Sequence, residues 1–188
     1  SSHIGASVTT LCTTTSASSV VASKGIAVDN TYVYFVHNSA APGENDYIYR
    51  VAKTGGTASP IYTTTAEMQG IAIGQDGNLY VAVPVAGLVK KVIIGGSATD
   101  FISITGATSL TQDSAGGWYV SDGTGNIYKY NSSGAYIGYR AFHNSANHIF
   151  VAENIMHSVG TSAGTIYKAT NITGTSWTGG TYLSDTLV

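Results

Sequence analysis

The chain has 188 residues, 43% of them hydrophobic, enough to bury a sizeable core in a single domain. Only 10% are charged, against roughly 25% in an average soluble protein. The formal net charge is −2, with the eight Lys and Arg scattered, so no basic face is expected and nucleic acid is disfavoured as a partner.

From the N-terminus, the chain starts Ser1-Ser2-His3 with no initiator methionine, and is read as a processed chain or a piece of a longer one. Residues 1–24 read as a leading outer strand, Val8 to Cys12, followed by a linker. Cys12 is the single cysteine, which excludes an internal disulfide and a thiolate metal cluster and favours an apolar role.

Four repeat units follow, at roughly 25–64, 70–104, 108–139 and 140–179, with 180–188 as a terminal strand. Each unit carries an apolar residue followed closely by a cation. These segments are Ile48-Tyr49-Arg50-Val51, Val89-Lys90-Lys91-Val92, Ile127-Tyr128-Lys129-Tyr130 and Ile166-Tyr167-Lys168-Ala169. They start 41, 38 and 39 residues apart, and turn glycines 56, 96, 134 and 174 follow with nearly the same period. A short aromatic and β-branched strand precedes each: Val33 to Val36, Leu79 to Ala82, Trp118 to Ser121 and Ile149 to Ala152. Upstream lie Gly25-Ile26-Ala27-Val28 and Gly70-Ile71-Ala72-Ile73, with Thr108 to Thr111 as a weaker copy. Small residues alternating with aliphatics suit an inner strand crowded near an axis. A fourth strand follows the turn glycine, as at Pro60-Ile61-Tyr62. Asp76-Gly77-Asn78 and Ala115-Gly116-Gly117 supply hairpin turns.

Four short antiparallel strands repeated every 40 or so residues are the grammar of a β-propeller blade, so the chain is read as all-β with about four blades. The termini leave ring closure open: the ring closes on four blades, or is completed by more chain or by another copy through unpaired edges.

Gly70-Ile71-Ala72-Ile73-Gly74-Gln75-Asp76-Gly77-Asn78-Leu79-Tyr80-Val81-Ala82 resembles the repeat of NHL-type propellers and is similar to gluconolactonase/regucalcin and virginiamycin B lyase repeats. The Gly25 segment carries the same signature. The resemblance covers most of the chain as repeat grammar and implies fold rather than chemistry.

Aligning the units puts His37, Val83, Asp122 and Glu153 at one position after the second strand, on loops expected to share one face of the ring. His37, Asp122, Glu153, Asn154 and His157 are therefore the candidate binding residues, set against a simpler role in capping turns. The fourth unit gathers His143, His148, Glu153 and His157, a set of types that binds divalent metal or does acid-base work, but at no recognised metal spacing. The lyase resemblance implies His/Glu and magnesium chemistry. The regucalcin resemblance implies calcium held by carboxylate and amide oxygens, for which Glu153, Asn154, Asp122 and Asp29 are candidates. Asp29 and Asp76 are read as turn stabilisers. Tyr49, Tyr128 and Tyr167 share a register that favours packing between blades, with carbohydrate stacking as the alternative. Asn131-Ser132-Ser133 and Asn171-Ile172-Thr173 are sequons that matter only in a eukaryotic secretory pathway.

The leading expectation is a noncatalytic binding or scaffolding propeller, extracellular or in the cell envelope, with no resident cofactor. Its ligand is a protein or a carbohydrate, and no membrane span is predicted. A hydrolase or lyase dependent on calcium or magnesium is the first alternative. A structural subunit self-associating through open blade edges is the second.

Overall fold

The computed structural model describes residues 9–14, 20–141, 146–160, 166–170, 172 and 186–187. Among the described residues, sixteen strands form four antiparallel sheets, each running in simple chain order from an inner to an outer strand. Blade 1 holds β1 (Val20–Val28), β2 (Tyr32–Ser39), β3 (Asp46–Ala52) and β4 (Ser59–Thr64). Blade 2 holds β5 (Ile71–Ile73), β6 (Leu79–Val83), β7 (Leu88–Val92) and β8 (Ala98–Ser103). Blade 3 holds β9 (Ser109–Gln112), β10 (Trp118–Ser121), β11 (Asn126–Tyr130) and β12 (Tyr136–Ala141). Blade 4 holds β13 (Ala146–Ala152), β14 (Ile155–Gly160), β15 (Ile166–Thr170) and β16 (Thr186–Leu187). The chain is a four-bladed β-propeller.

The inner strands sit side by side, β1 against β5, β5 against β9 and β9 against β13. Alternation along each strand sends one set of side chains to the preceding blade and the next set to the following one. Three apolar layers result. Tyr34, Val36 and Ile48 meet Ile71, Leu79 and Val81 between blades 1 and 2. Tyr80, Ala82 and Val89 meet Leu110, Trp118 and Val120 between blades 2 and 3. Tyr119 and Ile127 meet Ile149, Val151 and Met156 between blades 3 and 4.

Glycine is needed where inner strands approach most closely. A Cβ on Gly70 would lie 2.7 Å from the Ser109 Cα and 2.8 Å from the Thr108 carbonyl oxygen. One on Gly25 would lie 2.7 Å from the Gln69 carbonyl oxygen. Backbone cannot step aside as a flexible side chain can, so Gly70→Ala is expected to cost about 1–3 kcal/mol by overpacking. Urea unfolding measures this, and an unchanged midpoint would remove the close approach from the account.

The fourth unit differs from the sequence expectation by one strand. Ile149 to Ala152, expected as a second strand, belongs to the inner strand β13, and the second strand is β14. The aromatic pattern misled because Phe150 stands where the other inner strands carry Ala27, Ala72 and Thr111, opposite Tyr34, Tyr80 and Tyr119. The second strand, in turn, has His157 in place of those tyrosines. Glu153 accordingly leaves the position shared with His37, Val83 and Asp122. It occupies the hairpin between first and second strands, at the opposite end of the sheet. At the N-terminus, residues 9–14 form no strand; the Gly56 amide donates to the Leu11 carbonyl beside the β3–β4 turn. Thr181 to Ser184, expected as a new inner strand, lie outside the described residues, while Thr186–Leu187 pair with β15 as the fourth strand of blade 4.

Candidate functional site

The four inner strands line a cavity of about 1020 Å³. Its walls alternate small and aliphatic side chains, as the inner-strand sequences require. Ile26 and Val28 come from β1, Ile71 and Ile73 from β5, Leu110 from β9 and Phe150 from β13. Ile26, Val28 and Phe150 are large apolar groups left more than half exposed. Polar groups also line the space: Lys24 and His148, both exposed, with Gln112, Thr111 and Cys12. Among the described lining residues there is no carboxylate, so the charge that the lining offers is positive or neutral.

The sequence-predicted residues do not converge on this space. Asp122 follows β10, and its carboxylate is already engaged. It accepts from the Thr124 amide at 2.8 Å, the Thr124 hydroxyl at 2.8 Å, the Asn126 side chain at 3.0 Å and the Tyr128 hydroxyl at 3.2 Å. These donors hold its carboxyl below the usual range despite an opposing contribution from burial, which is the largest single influence. Glu153 and Asn154 form the two-residue β13–β14 turn, with φ of 50° and 63°, the left-handed pair that such a hairpin demands. His157 lies in β14, half-buried, across from Phe150 and Lys168. His37 is buried in β2 at 4% exposure, its ring edge-on to Tyr49 with centroids 5.6 Å apart. Neither of its ring nitrogens has a hydrogen-bond partner among the described residues. His143 lies outside the described residues, as do Asn171 and Thr173 of the second sequon.

A repeated network stiffens the opposite rim, where first and second strands turn. Asp29 accepts from the Thr31 and Tyr32 amides and the Tyr34 hydroxyl, at 2.7, 2.6 and 2.7 Å. Asp76 accepts from the Asn78 amide and the Tyr80 hydroxyl and pairs with Lys91 at 2.7 Å. Asp113 accepts from the Ala115 and Gly117 amides and the Tyr119 hydroxyl. Asp29 and Asp76 are thus turn stabilisers that also tether a tyrosine of the second strand. Of the three registered tyrosines, Tyr128 packs on the layer between blades 2 and 3 and Tyr167 on that between blades 3 and 4. Tyr49 stacks on Phe35 with centroids 5.6 Å apart, on the face of blade 1 turned away from blade 2.

Burial of the ring, reinforced by the Asp29 carboxylate, pushes the Tyr34 hydroxyl up to about 12. Burial and Asp122 do the same for Tyr128, and burial with neighbouring tyrosines for Tyr130, each to about 12. A phenol raised from its ordinary value of about 10 stabilises the fold fully below that pH, and the contribution is lost as pH rises through 12. The unfolding midpoint is therefore expected to fall steeply between about pH 10 and 12, in step with delayed phenolate absorbance near 295 nm. Phenols that all titrate like free tyrosine would contradict this.

Sequence reasoning missed Lys24, Ile26, Val28 and Phe150. Their signal is weak because apolar residues on an inner strand look like ordinary core until their exposure is known.

Neither a protein-family model nor a curated protein matches the sequence. Solved structures do share its shape. A streptogramin B lyase is 15% identical with a TM-score of 0.60, over 79% of this chain and 51% of that one. A chain of a nidogen/laminin complex is 14% identical with a TM-score of 0.67, over 85% and 68%. The gluconolactonase XC5397 from Xanthomonas campestris is 16% identical with a TM-score of 0.60, over 72% and 52%. The chain spans about half the length of the lyase and the gluconolactonase. These structures match the repeat-level resemblance to virginiamycin-lyase, gluconolactonase and NHL-type propellers; at such low identity what this chain shares with them is the β-propeller fold.

Proposed function

We propose that the protein is a noncatalytic binding propeller, extracellular or in the cell envelope, whose ligand is a small amphipathic anion held between the inner strands. The observation that carries this reading is the cavity lining: Val28 and Phe150 exposed beside Lys24 and His148, with no carboxylate among the described lining residues. An apolar ligand body covers the exposed side chains, and an acidic group meets the ammonium and the imidazole. The low overall charge supports the extracellular setting.

Isothermal titration with decanoate and its uncharged counterpart decanol tests the reading. Decanoate is expected to bind about tenfold more tightly, the worth of roughly 1.4 kcal/mol for one charge-assisted contact. Lys24→Gln should remove that difference. Equal binding of the two, or none, counts against the site. The fold is also shared with enzymes, a lyase and a gluconolactonase. A stoichiometric divalent ion in the purified protein, lost in Glu153→Ala or His157→Ala, would replace the noncatalytic reading with a metal-dependent one.

A further inference from the structure

Because the blades repeat, each side chain facing a neighbour has equivalents in the other blades, and their exposure tells whether a neighbour is present. On inner strands, Ile26, Ile71, Leu110 and Ile149 are equivalent, paired with Phe35, Val81, Val120 and Ser158. These positions face the preceding blade. Ile71, Leu110 and Ile149 are at most 7% exposed, whereas Ile26 is 67% exposed. The positions facing the following blade behave in mirror fashion. Ile48, Val89, Ile127 and Ile166 are equivalent in the third strand, opposite Val36, Ala82, Ser121 and Val159 in the second. The first three of each set are fully buried, whereas Ile166 is 47% and Val159 44% exposed. No packing like that between successive inner strands joins β13 to β1 among the described residues.

We infer that the outer faces of blades 1 and 4 are the two halves of a fourth interblade interface, and that a second copy of this chain supplies the missing neighbour at each. Blade 4 of one copy docks on blade 1 of the other, and the reverse contact closes a ring of two chains about a two-fold axis. Each chain carries both complementary halves, and the interface continues one that the fold already builds three times with the same strand register. Apolar faces of this kind are not left open in water without cost. Head-to-tail faces form closed rings when the rotation completes a turn and open filaments when it does not.

Sedimentation velocity across a concentration series tests this. The chain should pass from one copy to two and stop there. Ile26→Glu on blade 1 and Ile166→Glu on blade 4 should each weaken association about a hundredfold or more. Both sites are exposed in a single copy, so at concentrations where the parent is also a single copy both variants should keep its unfolding midpoint in urea. Mixing the two variants should restore a weaker dimer, because one interface in the mixed pair is intact. A chain that stays single at all concentrations, a dimer indifferent to Ile26→Glu, or growth beyond two copies would each overturn the inference. The first means that the faces are covered some other way, the second that blade 4 pairs with itself, and the third that the ring does not close.

Discussion

Trp118→Ala is expected to lower the free energy of unfolding by about 3–5 kcal/mol, the largest effect of any single truncation considered for this chain. Trp118 opens β10 and is fully buried between blades 2 and 3. Its ring centroid lies 4.2 Å from that of Tyr80 and 5.9 Å from that of Phe101, so three aromatic rings from two blades share one layer. Removing the indole leaves a cavity whose walls are strands of two hydrogen-bonded sheets, which cannot collapse to fill it. Trp118→Phe should cost much less, about 1–2 kcal/mol, because the Trp118 Nε1 has no hydrogen-bond partner among the described residues and only ring area is lost. Equilibrium unfolding in urea separates the two variants. An alanine cost below about 1 kcal/mol would mean that blades 2 and 3 are not packed through this residue.

Asp113→Ala should cost about 2–3 kcal/mol, a loss of hydrogen bonds rather than of volume. The Asp113 side chain accepts from the Ala115 amide at 3.0 Å, the Gly117 amide at 2.7 Å and the Tyr119 hydroxyl at 3.0 Å, and the residue is buried. Alanine leaves two turn amides without that acceptor, while the Tyr119 hydroxyl keeps a longer bond to the Ile172 carbonyl at 3.3 Å. The equivalent change at Asp29, whose turn is half-exposed, lets water replace the carboxylate and should cost only about 1 kcal/mol. If both variants lose the same stability, burial of the Asp113 network is not what makes it matter.

The blades were legible in the sequence because two demands repeat with them. Each third strand needs an apolar residue toward the following blade, met by Ile48, Val89, Ile127 and Ile166. Each strand end needs a turn that a glycine, an aspartate or an asparagine can make. Asp29 and Asp76 were readable as turn residues for the same reason, since a carboxylate two residues before an amide is a local feature. Blade 4 was misread by one strand because Phe150 imitates the aromatic signature that His157 removes from the true second strand. The one-strand shift carried Glu153 from one rim to the other.

The candidate site was less legible. His37 and Asp122 were singled out as polar residues in a repeat, yet one is buried in an aromatic cluster and the other is saturated by its own loop. Val28 and Phe150 mark the cavity only through their exposure, and exposure depends on which neighbours the chain brings together. No local pattern distinguishes Ile26 from Ile71, although one is 67% and the other 7% exposed.

The central claim is that the space between the inner strands takes an amphipathic anion. Methyl-resolved NMR during a decanoate titration tests it most directly. Shifts are expected to concentrate on the exposed Val28 methyls and to saturate with decanoate, with the methyls of Ile48, Ile71, Leu110 and Ile127 in the interblade layers unmoved. Shifts spread over the interblade layers, or confined to the exposed Ile166 and Val159 on blade 4, would contradict it.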